Sequence, residues 1–239
     1  MPSARGVQPV LGVDEAGRGP VLGPLVVAAV LVRDPSELQQ LGVADSKTLT
    51  PVRRTFLCNK IQRIVDSEVV ELPALDIDSL RATMTMNQIE VQLFATVTAT
   101  LLGRWEGSAV DLQLDAADVN PDRFGSQVYE RVAAVSARIA RVISEHRADA
   151  TYPAVSAASI VAKVRRDERI ARIEEDLRRL DPRCGPMGSG YPSDPRTVAF
   201  MERWIRAHGV LPPHTRATWE TARRLLRSVG KQRLEEFGG

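Results

Sequence analysis

Eight consecutive aliphatic residues, Leu25–Val32 (LVVAAVLV), constrain this chain more than any other feature. The run has the length of a strand, and neither side of its pleat carries a polar residue. Both faces therefore need covering, which calls for a layered α/β architecture. A second short apolar run, residues 8–13, ends in Asp14-Glu15. The segment AGRGPVLGP between the two is dense in glycine and proline and predicts a hairpin-type connection between sheet strands.

The rest of the chain alternates in the same way. Thr50 and Pro51 form a helix start, as N-cap and first helical residue, and the pattern runs to about residue 66. Strands are predicted at 69–72, at 110–114 with Asp115 at its end, and at 139–143 ahead of His146-Arg147-Ala148-Asp149. Helices are predicted at 87–105, where Val91, Phe94, Val97 and Leu101 keep helical spacing, and at 121–135. One long helical stretch covers 156–180, a Gly/Pro-rich break follows to 195, and helices are expected at 197–207 and 215–229. The layout is an α/β domain over 1–183 with a helical C-terminal extension over 184–239 that ends in a flexible tail.

Composition fits that layout. The 239 residues are 44% hydrophobic and 26% charged, which excludes a disordered chain, a collagen and a coiled-coil rod. Cys58 and Cys184 stand far apart, so neither a disulfide framework nor a thiolate zinc site is expected, in keeping with a reducing compartment. The longest apolar stretch, 21–32, is broken by Gly23 and Pro24 and is too short to span a bilayer. No signal-peptide pattern opens the chain. The expectation is a cytoplasmic, monomeric protein with no membrane contact.

The net charge of +2 conceals an asymmetry. Residues 1–150 hold 15 basic and 19 acidic residues, a net of −4; residues 151–239 hold 17 and 11, a net of +6. A basic third beside an acidic remainder suits a polyanion held against a carboxylate-bearing site. Solvated helix faces would give the same sums.

Asp14-Glu15, Asp115 and Asp149 all sit where a predicted strand stops, the place where functional groups gather in open α/β sheets. Brought together, four carboxylates repel one another unless cations neutralise them, and hard oxygen ligands without cysteine favour Mg²⁺ or Mn²⁺. Taken singly, each acid also reads as a turn-former or helix N-cap. Gly17-Arg18-Gly19 does not match a dinucleotide fingerprint, because the third glycine falls one position late and no helix follows. Its glycines would let backbone approach a ligand, and they would equally serve a tight turn.

At this point a resemblance enters. GVDEAGRGPVLGPLVVAAV is similar to the opening signature of ribonuclease HII. The match continues, in family order, through ADSKTLT, MTMNQIE, LDAADVNPDRF, HRADATYPAVSAASIVAKVRRD, GSGYPSD and WETARRL. These blocks span nearly the whole chain, and their flavour is archaeal. The resemblance implies a ribonuclease H-like fold, with a mixed central sheet flanked by helices. It implies an endonuclease that hydrolyses the RNA strand of RNA–DNA hybrids and cuts 5′ of ribonucleotides embedded in duplex DNA, leaving 5′-phosphate and 3′-hydroxyl ends. It makes Asp14, Glu15, Asp115 and Asp149 the catalytic ligands of two Mg²⁺ or Mn²⁺ ions. Gly17, Arg18 and Gly19 become the loop that reads 2′-hydroxyls, and Tyr191 the ring that stacks on the deoxyribose after the RNA–DNA junction. Lys47, Lys163 and Arg166 match basic positions near substrate phosphates. Of the two acids in LDAAD, Asp115 rather than Asp118 is the expected metal ligand. The implied roles are primer RNA removal and ribonucleotide removal in replication and repair.

The tail GKQRLEEFGG carries a degenerate clamp-interacting pattern. Leu234 and Phe237 hold its spacing, but Lys231 stands where glutamine is usual and Gly238 where a second aromatic is usual. A frayed end is the other reading. Two rival classes share the same residues: a hybrid-binding protein without catalysis, which would have reason to lose phosphate-repelling carboxylates, and a different two-metal nuclease on the same fold.

Overall fold

The computed structural model describes residues 7–43 and 49–237, with the backbone alone for 231–237. Lys47 lies outside the described residues. Five strands form one sheet: β1 (Val10–Ala16), β2 (Leu25–Val32), β3 (Asp66–Leu72), β4 (Val110–Asp115) and β5 (Ile139–Glu145), in the order β3-β2-β1-β4-β5. β1 runs antiparallel to β2 and parallel to β4, and β4 runs parallel to β5, so the sheet is mixed. The helices are α1 (Pro35–Gln40), α2 (Pro51–Ile61), α3 (Ala74–Leu80), α4 (Met86–Arg104), α5 (Pro121–Ala133), α6 (Pro153–Leu180), α7 (Pro195–His208) and α8 (Glu220–Phe237).

All of β2 is buried, as its sequence requires. One side of its pleat, Val26, Ala28, Val30 and Val32, packs with Leu57, Cys58 and Ile61 of α2 and with Ala154, Ala157, Ala158 and Val161 of α6. The alanines let α6 come close. At Gly12 of β1 an added Cβ would stand 2.2 Å from the carbonyl carbon of Ala154, so strand and helix touch backbone to backbone. α4 packs on α5 through Phe94, edge-on to Phe124 at 5.1 Å. Local signals start the helices: Thr50 accepts from the Arg53 amide ahead of Pro51, and Thr85 and Gln88 form a capping box on α4.

The differences from expectation have local causes. β3 and β5 are longer than their apolar cores because they lie at the sheet edges, where Asp66, Arg141 and Glu145 are exposed and no alternation marks the ends. The short helices α1 and α3 carried too few apolar positions to stand out. α8 starts at Glu220, not 215, because Thr215 bridges to Leu22 and Arg216 turns inward; it runs on to Phe237 rather than stopping at 229.

The described residues group into two compact units. The first comprises those of Met1–Ala16, Val26–Val70 and Thr85–Arg165; the second, those of Gly17–Leu25, Glu71–Met84 and Arg166–Gly239. The second unit thus takes in the glycine segment and part of α6 as well as the C-terminal helices. Its core joins Val21 and Leu22 to Ile170, Ile173 and Leu177 of α6, Phe200, Met201 and Trp204 of α7, and Leu225 of α8. Among the described residues no helix is long and apolar enough to cross a membrane.

Candidate active site

Strand register builds the carboxylate group of the first unit. β1 and β4 are parallel, with Val13 beside Leu114, so the next residue on each strand, Asp14 and Asp115, stands at the same level of the sheet. Asp149 comes from a 3₁₀ turn, Ala148–Ala150, entered through Arg147 in the left-handed region (φ 58°). The Ala148 amide donates to Asp115 Oδ1 at 3.3 Å, which ties that turn to β4. Carboxylate oxygens of Asp14, Asp115 and Asp149 lie within 4.8 Å of one another. Glu15 follows Asp14 on β1, within the strand rather than beyond it, and stands outside this tight trio.

Asp14 is buried, and its pKa is pushed up to about 7. Desolvation is the main cause and the charge of Asp115 the second; a Ser159 hydrogen bond and the Lys163 charge pull the other way. Lys163 donates to Ser159 Oγ at 2.6 Å, one helical turn earlier on α6. Three hard oxygen donors with this mutual repulsion fit a divalent cation, which would let Asp14 ionise at neutral pH. Asp118 is engaged otherwise. It accepts from the Asn120 amide at 3.0 Å and pairs with Arg123, and these bonds draw its pKa down to about 2.

The glycine segment is built in the second unit, and its two glycines differ. Gly17 is buried with φ +91°, and an added Cβ would meet Pro24 O and Arg166 Nε at 2.6 Å. Gly19 is exposed, and its nearest neighbour would be Tyr191 Cε1 at 3.9 Å. Gly190 O accepts from the amides of Val21 (2.8 Å) and Leu22 (3.1 Å), fastening the GSGYPSD turn to the loop. Asp194 caps α7 and accepts from the Ser189 amide, which fixes that turn from its far end. Arg166 is buried beneath Gly17. It donates to Ser189 O at 2.9 Å and lies over the Tyr191 ring at 4.9 Å. It therefore supports the tyrosine and the loop from below.

Two residues escaped the sequence. Ser159, four before Lys163, could have been found from that helical spacing. Arg216, fully buried, donates to Gly17 O, Arg18 O and Gly23 O at 2.6, 2.8 and 3.1 Å; nothing marked it out among the arginines of a basic segment.

Comparison with known proteins agrees with this geometry. The family profile described as Ribonuclease HII matches residues 11–222, a span holding both groups of residues. The Ribonuclease HII of Thermococcus kodakarensis is 42% identical over 230 residues, covering 95% of this chain and 93% of that protein. The crystal structure of ribonuclease H2 from Pyrococcus horikoshii superposes with a TM-score of 0.77 at 40% identity, covering 93% of this chain and 99% of the other. The ribonuclease in the PCNA:RNase HII complex of Archaeoglobus fulgidus superposes with a TM-score of 0.78 at 39% identity, covering 90% and 95%. With three carboxylates gathered within 4.8 Å and this extent of likeness along the chain, the protein belongs to the ribonuclease HII family and is a metal-dependent ribonuclease H.

Proposed function

We propose that this ribonuclease cuts the RNA strand of RNA–DNA hybrids and the 5′ side of single ribonucleotides in duplex DNA, leaving 5′-phosphate and 3′-hydroxyl ends. The observation that carries the reading is the trio Asp14, Asp115 and Asp149, with Asp14 raised to about 7 by burial and by its neighbour's charge. Two divalent cations, Mg²⁺ or Mn²⁺, held by the trio and Glu15 would supply charge relief at phosphorus, an ionised water and a stabilised leaving 3′-oxygen. Lys163 donates to Ser159, and Ser159 donates to Asp14, a chain of bonds that would hold the Asp14 carboxylate in place.

Selection for RNA rests on the 2′-hydroxyl. Backbone groups of Gly17, Arg18 and Gly19 would bind it, and Tyr191, backed by Arg166, would stack on the sugar beyond the junction. Lys47 and Lys163 would meet phosphates, and residues 184–239 would extend the grip on the duplex. Leu234 and Phe237 would dock on a DNA sliding clamp. The spacing in the tail supports this, as does the relative solved with PCNA. The roles would be ribonucleotide and primer removal, by a monomer in the cytoplasm.

The test is a labelled DNA duplex holding one ribonucleotide, with an all-DNA control, incubated with Mg²⁺, with Mn²⁺ and with EDTA. Metal-dependent cutting 5′ of the ribonucleotide and an untouched control are expected. Cutting of long hybrids alone would remove the junction reading.

A further inference from the structure

Arg216 is a cation without an acidic partner in hydrogen-bond range among its described contacts, buried completely and bonded to main-chain oxygens. Taking a guanidinium out of water is costly, and neutral carbonyls repay that cost only in part. The face of Trp219 at 5.0 Å adds a weak attraction. Burial and the nearby Arg166 charge lower its pKa to about 9, still above neutral, so the group remains charged. An apolar side chain would fill the same volume at less cost, so the carbonyl pattern itself needs a reason.

The reason lies in the peptide planes. The Gly17 and Arg18 oxygens bond to two different nitrogens of the one planar fork. The chain has no cis peptide among its described residues. In a trans peptide the N–H points opposite to the C=O of the same plane. Pulling these two oxygens toward Arg216 turns the amides of Arg18 and Gly19 to the opposite face, and Gly19 is exposed there. Successive amides aimed the same way make a concave donor site for an oxygen ligand. The third bond, to Gly23 O, and the bond from Arg216 N to Val21 O (2.8 Å) fix the far end of the loop. Asp78 of α3 holds the residues after the arginine, accepting from the amides of Ala217 (2.6 Å) and Thr218 (3.2 Å).

We propose that Arg216 is a positioning residue for ribonucleotide selection. Its fork locks the Gly17–Arg18 and Arg18–Gly19 peptides with their N–H groups turned out to meet the 2′-hydroxyl, and Asp78 braces the fork. This rests on the functional reading above and adds the device that makes the loop selective.

The test measures binding of fluorescent duplexes, one all-DNA and one with a single ribonucleotide, with Ca²⁺ replacing Mg²⁺ to suppress cutting. The wild-type chain is compared with R216K and D78N, with Tm recorded for each. R216K keeps a charge and loses the fork. It is expected to lose at least fivefold of the preference for the ribonucleotide while all-DNA affinity changes less than twofold; D78N should shift the same ratio by a smaller factor. A merely structural arginine would weaken both duplexes alike, in step with Tm. Retention of the wild-type ratio by R216K overturns the proposal. Should R216K unfold, D78N decides by the same ratio. A wild-type chain that shows no preference would overturn the functional reading itself, and this inference with it.

Discussion

The carboxylate trio and the glycine loop begin three residues apart in the chain and work by opposite means. The trio concentrates side-chain charge, which makes Asp14 hard to ionise. The loop works through its main chain, held by buried arginines, Arg166 under Gly17 and Arg216 on the carbonyls. In the first the reactive groups are the residues themselves. In the second they are peptide units that any sequence possesses, and the specificity lies in how they are held.

Replacing a member of the trio should give the largest effect. Asp14→Asn is expected to reduce cleavage about a thousandfold or more while raising the Tm of the metal-free protein. The sign follows from the raised pKa. Between about pH 4 and 7 the folded chain keeps a proton on Asp14 that the unfolded chain has released, so wild-type stability falls as pH rises through that window. The Tm gap between variant and wild type should therefore open from pH 4 to 7 and stay level above it. A gap that shrinks with rising pH would contradict this account of the trio.

The two loop glycines should separate next. Gly17→Ala meets positive φ and two close atoms, and should cost about 3 kcal/mol of stability. Gly19→Val has space in the free protein, so Tm should hold within about 2 °C while cleavage falls at least tenfold. Equal Tm losses would erase the distinction between a glycine for the fold and a glycine for the ligand. Tyr191→Ala should fall in between, lowering cleavage at a single embedded ribonucleotide more than cleavage of long hybrids. An equal fall on both would make it a general contact. Least affected should be a chain lacking residues 231–239: free cleavage should be unchanged and retention by a sliding clamp lost. Unchanged retention would dispose of the tail reading.

The same contrast decides what could be read from the sequence. Asp14, Asp115 and Asp149 were legible because charged residues at the ends of apolar runs break a pattern, and β2 because its pattern is unbroken. Thr50-Pro51 announced α2 correctly. Arg216 was illegible because a buried arginine has the same letter as an exposed one. The +6 of the C-terminal third suited either a polyanion surface or solvated helix faces, yet Arg166 and Arg216 hold their charge inside the protein.

Gly12 has an implication for how such a chain can change over time. With β1 and α6 in backbone contact there, no compensating substitution at a neighbouring side chain can make room, because Ala154 is already small and its carbonyl carbon is what obstructs. Any replacement at position 12 has to lift the start of α6 away from the strand, and with it Ser159 and Lys163 from Asp14. Position 12 is thus closed to drift through a chemistry it never touches. A saturation library should return almost nothing there but glycine, whether survivors are chosen for folding or for cutting.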